Sequence, residues 1–327
     1  MRKSLTYKIL AAVIAAGSLG LYAAAPAAAK DFNAPEDGTI VNGNFDNVYG
    51  NGTPITITGG TIGYVYGVGK NGYTGDASGG NVTINGNATV TGNVFGGRTK
   101  NGNAEYNTVN ISDKAIVINN VYGGSTDSTD SNAHHNTVNI SGGSVKGKVY
   151  GGSSECGQAY DNTVNINGGS VTDNVYGGWS PNGSAKDNQI IIRGSANITN
   201  ANLYGSYKST DTGNTLTIDG WKGKTNSVQN FNDIVFKNIN WQNDGTVLTI
   251  TAGDADDLAK TTIDTIHIAG GSNINVGESM TLIKNNGTLN SIGNVTDTFT
   301  AGVAREGLGS TIVNTNGEVS FKVNSIK

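Results

Sequence analysis

The segment Asn136-Thr137-Val138-Asn139-Ile140-Ser141-Gly142-Gly143-Ser144-Val145, followed by Val149-Tyr150-Gly151-Gly152, returns 26 residues later. The second copy reads Asn162-Thr163-Val164-Asn165-Ile166-Asn167-Gly168-Gly169-Ser170-Val171, followed by Val175-Tyr176-Gly177-Gly178. In each copy the Val-x-Ile alternation sends Val138 and Ile140, or Val164 and Ile166, to one face and the intervening Asn to the other, the period of a half-buried strand. The Gly pair that follows turns the chain where a side chain would be awkward. Three short strands per unit cannot bury an apolar face alone, but coils stacked one on the next pair each strand with its equivalent and build a continuous core.

Working outward, Val-Tyr-Gly or a close variant occurs seven times, at Tyr49, Tyr66, Phe95, Tyr122, Tyr150, Tyr176 and Tyr204. Successive aromatic positions are 17, 29, 27, 28, 26 and 28 residues apart. The spacing predicts an all-β fold, a single-stranded parallel β-helix (β-solenoid) with rungs of roughly 26–29 residues. Meander hairpins would need tight two-residue loops, and leucine-rich repeats a Leu scaffold that is absent here. The repeat is strict over residues 30–220; residues 221–327 read as an irregular continuation of the solenoid and a C-terminal cap.

Asn107, Asn136, Asn162, Asn188 and Asn214 open the first strand of successive units, and as a structural ladder they are placed to chain their amides from rung to rung, about 4.8 Å apart. The aromatic residues Phe95, Tyr122, Tyr150, Tyr176 and Tyr204 form a second column, a candidate binding column if the Val column points inward. Its orientation is open at this stage. Exposed rings would stack on sugars or on another protein, and buried rings would simply pack. The variable inserts, residues 99–105, 125–135, 153–160, 180–186 and 206–212, all follow the Val-Tyr-Gly strand and so share one side of the rod.

Composition agrees with strands. The chain of 327 residues holds 49 Gly and 44 Asn, neither of which favours the interior of a long helix, so a helical bundle is excluded. The net charge of -4 offers no attraction for nucleic acid. Arg2, Lys3 and Lys8 precede the apolar run from Ile9 to Leu21, and Ala27-Ala28-Ala29 precedes Lys30-Asp31. This is the pattern of a secretory signal peptide over residues 1–29, with cleavage between Ala29 and Lys30. Cys156 is the only cysteine, so no disulfide framework forms within the chain.

The signal, the Gly/Asn/Thr-rich repeat and the trailing blocks Gly245-Thr246-Val247-Leu248-Thr249-Ile250 and Gly277-Glu278-Ser279-Met280-Thr281-Leu282-Ile283 together resemble the passenger region of bacterial autotransporter (type V secretion) adhesins. The resemblance covers residues 30 to about 290 and implies a right-handed β-helix displayed on a bacterium with two membranes, its final block assisting folding during secretion. Such a family also carries a translocator barrel, whose many amphipathic strands do not fit within the 37 residues after Asn290. A truncated gene, a fragment of a longer chain, release from the cell, or a separate outer-membrane anchor or translocator as partner would each account for this.

Catalytic chemistry is thinly represented. Asp161 and Asp187 precede equivalent Asn residues and stand in register, at a spacing that would suit an acid and nucleophile pair in a polysaccharide lyase or hydrolase. Other units carry Tyr106, His135 and Gly213 at that position, which favours two solvated turn residues. His134 and His135 stand near Asp127 and Asp130, but adjacent histidines on an extended strand point opposite ways, which argues against a shared ion. Asp254, Asp256 and Asp257 lack the spacing of known calcium loops. The reading is an exported, non-enzymatic adhesin or cell-surface rod that uses no cofactor or metal and contacts a host or bacterial surface glycan or protein.

Overall fold

The computed structural model describes residues 30–35, 39–252, 257–286, 292–303, 305–314 and 317–327. The signal segment through Ala29, together with Asp254 and Asp256, lies outside these residues. Among them every regular element is a strand, and the strands stack in parallel as a β-solenoid of about eight turns with rungs of roughly 27 residues.

A full turn contains four strands, one more than the repeat alone suggests. In the central turn they are Thr137–Ile140, Ser144–Val145, Val149–Ser154 and Ala159–Tyr160. Each pairs with the equivalent strand one rung away without slippage, so Val138 faces Val164, Val145 faces Val171, Val149 faces Val175 and Ala159 faces Ala185. The fourth strand lies at the end of each insert. Ala77, Ala104, Ala133, Ala159 and Ala185 are fully buried there and form a five-stranded ladder. The inserts are thus only partly free surface, because each must return to the same buried Ala.

The inward side chains of a rung, such as Val138, Ile140, Val145 and Val149, are all buried and belong to one continuous core. Each contributes about 1.5–3 kcal/mol by leaving water. The column from Val48 through Val65, Val94, Val121, Val149 and Val175 to Leu203 is completely buried, so the aromatic residue that follows each member points to the outside of the coil.

Polar order runs beside the apolar core. Asn107, Asn136, Asn162, Asn188 and Asn214 are buried at the end of the insert. Each of the first four donates its Nδ2 to the Oδ1 of the next, at 2.9–3.0 Å. Each of the five also donates to the carbonyl of the Ala one rung back, at 2.8–3.0 Å. The Oδ1 receives a second bond from the backbone N–H of the preceding ladder Asn, at 3.1 Å for Asn136 donating to Asn162. Every polar atom of the amide is engaged, the condition under which a buried amide stabilises rather than costs.

This ladder explains the glycine pair of the motif. A Cβ built on Gly97, Gly124, Gly152 or Gly178 would come within 2.3–2.5 Å of the ladder amide in its own turn. The residue before each ladder Asn has positive φ: Tyr106, His135, Asp161, Asp187 and Gly213, with values from 53° to 75°, as has Gly79 at the equivalent corner before Gly80. That corner turns the insert into the next strand.

Past Trp221 the parallel pairing continues through Asp233–Ile239, Thr262–Ile268 and Thr298–Ala301 with register shifts. Arg305–Asn314 and Glu318–Ile326 then form an antiparallel hairpin, and the second strand lies antiparallel on Ser279–Asn285. Val319, Phe321 and Val323 are buried by this arrangement. Antiparallel pairing here ends the coil-on-coil pattern.

Asn162→Ala removes the acceptor of the Asn136 backbone N–H and of one Asn136 Nδ2 hydrogen, and one donor to the Ala133 carbonyl, all in a buried place, and is expected to cost about 2–4 kcal/mol. Chemical denaturation with hydrogen exchange should show the loss centred on rungs 133–190. Asn139→Ala, in the half-buried outer row, should cost under about 1 kcal/mol. Gly152→Ala should destabilise strongly alone and much less in the Asn162→Ala background, since the amide it meets is gone.

Candidate functional site

Seven outward-facing rings stack face to face along the rod, from Tyr49 and Tyr66 through Phe95, Tyr122, Tyr150 and Tyr176 to Tyr204. Their centroids are 4.7–5.3 Å apart and their planes within 4–13° of parallel. Rung spacing imposes this geometry, because side chains in perfect parallel register repeat at the strand separation. The stacking consumes the ring faces. Tyr66, Phe95, Tyr150 and Tyr176 are only 3%, 5%, 7% and 8% exposed although they lie outside the core. The column therefore points outward but is itself packed, and sugars cannot intercalate between its rings. What it offers a ligand is a row of ring edges and hydroxyls. Asn120 and Asn174 donate to the hydroxyls of Tyr122 and Tyr176 at 3.3 and 3.2 Å.

Packing also shapes the acidity of the column. Burial, reinforced by neighbouring tyrosines, pushes the Tyr66 phenol up to about 12. Tyr122, Tyr150 and Tyr176 are raised mainly by burial as well.

Beside this fixed row runs a variable one. The residue after each Val-Tyr-Gly-Gly stacks in register as Arg98, Ser125, Ser153 and Trp179. Arg98 holds Asp127 in a two-pronged pair at 2.8 and 2.7 Å, donates to Ser125 at 2.9 Å, and lies 5.6 Å from the centroid of Phe95. Trp179 meets Tyr150 edge-on at 6.1 Å, and Tyr207, 48% exposed, at 5.8 Å. Together the two rows bound a shallow groove floored by Phe95, Tyr122 and Tyr150 and walled by Arg98, Asp127, Glu155 and Trp179. Repeat reading misses this row. Its signal is positional, because Arg98, Ser125, Ser153 and Trp179 change identity within a unit that otherwise barely varies.

The acidic candidates are placed differently. Asp161 and Asp187 are exposed and occupy the positive-φ corner on neighbouring rungs, with φ of 53° and 56°. Asp tolerates that conformation better than most residues. Asp161 turns its carboxylate toward His135, 3.7 Å from Nε2. Asp257 accepts from Gln229 at 3.3 Å. Cys156 is a half-buried free thiol near Asn182.

The two histidines do not point opposite ways, as an extended strand would require. His135 sits at the corner with φ 53°, so the chain does not continue as a strand and both imidazoles turn to the same side, with their Nδ1 atoms 2.9 Å apart. Tyr160 stacks on His134 at 4.7 Å and Tyr106 on His135 at 4.9 Å. Glu105 lies 3.0 Å from His134 Nε2. Desolvation nevertheless lowers the His134 pKa, outweighing the opposing pull of Glu105. Among the described residues no group of three or more His, Cys, Asp or Glu side chains is gathered to hold a metal ion.

Comparison with family models, with curated proteins and with solved structures finds no match.

The raised phenols fix a pH dependence. The folded stack keeps protons that the unfolded chain loses, so stability is full below pH 10 and falls as pH rises toward about 12, through the Tyr66 pKa. Titration of tyrosinate absorbance should show a group of tyrosines ionising above free tyrosine, collapsing to a single transition near pH 10 once the chain is unfolded.

Proposed function

We propose that this chain is exported and acts at the bacterial surface as a non-enzymatic adhesin or structural rod of the autotransporter-passenger kind, presenting the outer face of its long sheet to a surface glycan or protein. The observation that carries this reading is the pairing of a rigid, self-stacked aromatic row with an adjacent row whose members differ from rung to rung. The first holds shape and the second supplies chemistry: a bidentate cation and carboxylate pair at Arg98 and Asp127, and ring surface at the half-buried Trp179 and the exposed Tyr207.

The groove is shallow and runs along the rod, which suits an extended polymer or a flat protein surface. Exposed Trp and Tyr rings cover the apolar face of a sugar while their polar edges stay wet. Each such contact is weak. A rod with several equivalent rungs gains affinity when a polymeric ligand engages several at once, since later contacts form at high effective concentration. The basic, apolar, Ala-x-Ala segment at residues 1–29 supports export.

Two measurements bear on this reading. Protease added to intact cells should digest the protein, with its mature chain beginning at Lys30; a product protected in the periplasm would remove the adhesin. Purified protein should bind within a panel of surface polysaccharides and matrix proteins. Trp179→Ala is expected to weaken that binding about thirtyfold, the effect of losing about 2 kcal/mol at an aromatic anchor, with an unchanged circular dichroism spectrum. Binding indifferent to both Trp179→Ala and Arg98→Ala would place recognition elsewhere, and cleavage of a polysaccharide by wild type but not by Asp161→Asn would replace the adhesin with an enzyme.

A further inference from the structure

Independently of what the outer face binds, the corner at His134 and His135 has the features of an ion site. We propose that the two imidazoles form a bidentate site for a divalent transition metal of the copper(II) or nickel(II) class, bound through both Nδ1 atoms.

The argument begins with lone pairs. His134 Nε2 lies 3.0 Å from the Glu105 carboxylate, so it carries the hydrogen and leaves Nδ1 as the nitrogen with the lone pair. His135 Nε2 faces Asp161 at 3.7 Å, beyond hydrogen-bond distance, so its tautomer follows from what its Nδ1 meets. Two Nδ1 atoms 2.9 Å apart either share one hydrogen, donated by whichever imidazole carries it on Nδ1, or ligate a common cation with both lone pairs. Carboxylates on the distal nitrogens are the usual outer partners of metal-bound histidines, fixing the tautomer and raising ligand basicity.

The neighbours hold the rings in place. Glu105, His134, Tyr160 and Lys186 occupy one register column, and Tyr106, His135 and Asp161 the adjacent corner column. Tyr160 and Tyr106 each stack on one imidazole. The charged groups facing the pair are the carboxylates of Glu105 and Asp161, with Asp76 further off and the Lys186 ammonium 6.0 Å from the Tyr160 ring centroid. Two adjacent carboxylates offset the charge of a divalent ion.

The bite selects the metal. Two nitrogens about 2.0 Å from one ion and 2.9 Å apart subtend roughly 90°, the cis angle of square-planar or octahedral coordination. A tetrahedral zinc would need them roughly 3.3 Å apart. Tetragonal nitrogen sites belong to copper(II) and nickel(II), with water completing the shell. The chain's third histidine, His267, is already engaged by Asn238 N–H and the Gly302 carbonyl.

The test uses the full chain, stripped with a chelator and titrated with copper(II) sulfate by calorimetry and electron paramagnetic resonance. One saturable equivalent whose spectrum shows coupling to two imidazole nitrogens is expected. His134→Gln and His135→Asn, the latter tolerant of the positive-φ corner, should each weaken it at least about 100-fold. Glu105→Gln should weaken it about 10- to 100-fold, and His267→Gln should leave it unchanged. Each variant should keep the wild-type circular dichroism spectrum. Absence of saturable binding, a spectrum without imidazole coupling, or binding that survives His134→Gln and His135→Asn would overturn the site and leave a hydrogen bond between the two imidazoles.

Discussion

The buried amide ladder from Asn107 to Asn214 is the constraint on which the rest of the solenoid depends. A coil of this kind has no long-range tie other than its neighbours, so each rung must be locked to the next at some point where slippage is costly. The ladder supplies that lock, because each amide bridges forward to the next Asn and back to an Ala carbonyl, as in Asn162 between Asn188 and Ala133. A one-residue slip would break bonds that buried polar atoms cannot replace. The requirement propagates into the sequence. It removes side chains from Gly97, Gly124, Gly152 and Gly178, and it fixes a positive-φ corner immediately before each Asn.

Perfect register has consequences on the outer surface. Identical side chains placed one rung apart fall at the separation at which aromatic rings stack, so a repeated Tyr becomes a column whether or not any ligand selects it. The column then shields itself from water, and the capacity to discriminate passes to the neighbouring row, where Arg98, Ser125, Ser153 and Trp179 share one geometry but not one chemistry. The division resembles that of other rigid scaffolds, in which regular elements hold position and the variable positions carry recognition.

The corner shows how local strain creates chemistry. Gly79 and Gly213 occupy it at the two ends of the row of corners, where positive φ is free of steric cost, whereas Tyr106, His135, Asp161 and Asp187 occupy it between them. The conformation that makes these residues unusual is also what swings His135 back toward His134. A rule for extended strands fails there because the strand has already ended.

The sequence by itself determined the fold class, the rung length, the inward Val and Ile columns and the existence of an Asn column, because period-2 alternation and a near-constant repeat leave few ways to bury those side chains. The fourth strand at Ala133 or Ala159 was hidden, since two residues are too short to show alternation and their neighbours vary. The direction and packing of the aromatic column, the pairing of Arg98 with Asp127, and the convergence of His134 and His135 with Glu105 and Asp161 were decided only by the tertiary structure. Each of these joins residues about one rung apart, or residues adjacent across a backbone turn. Such contacts depend on register and on the sign of φ, and neither is written in the identity of any one residue.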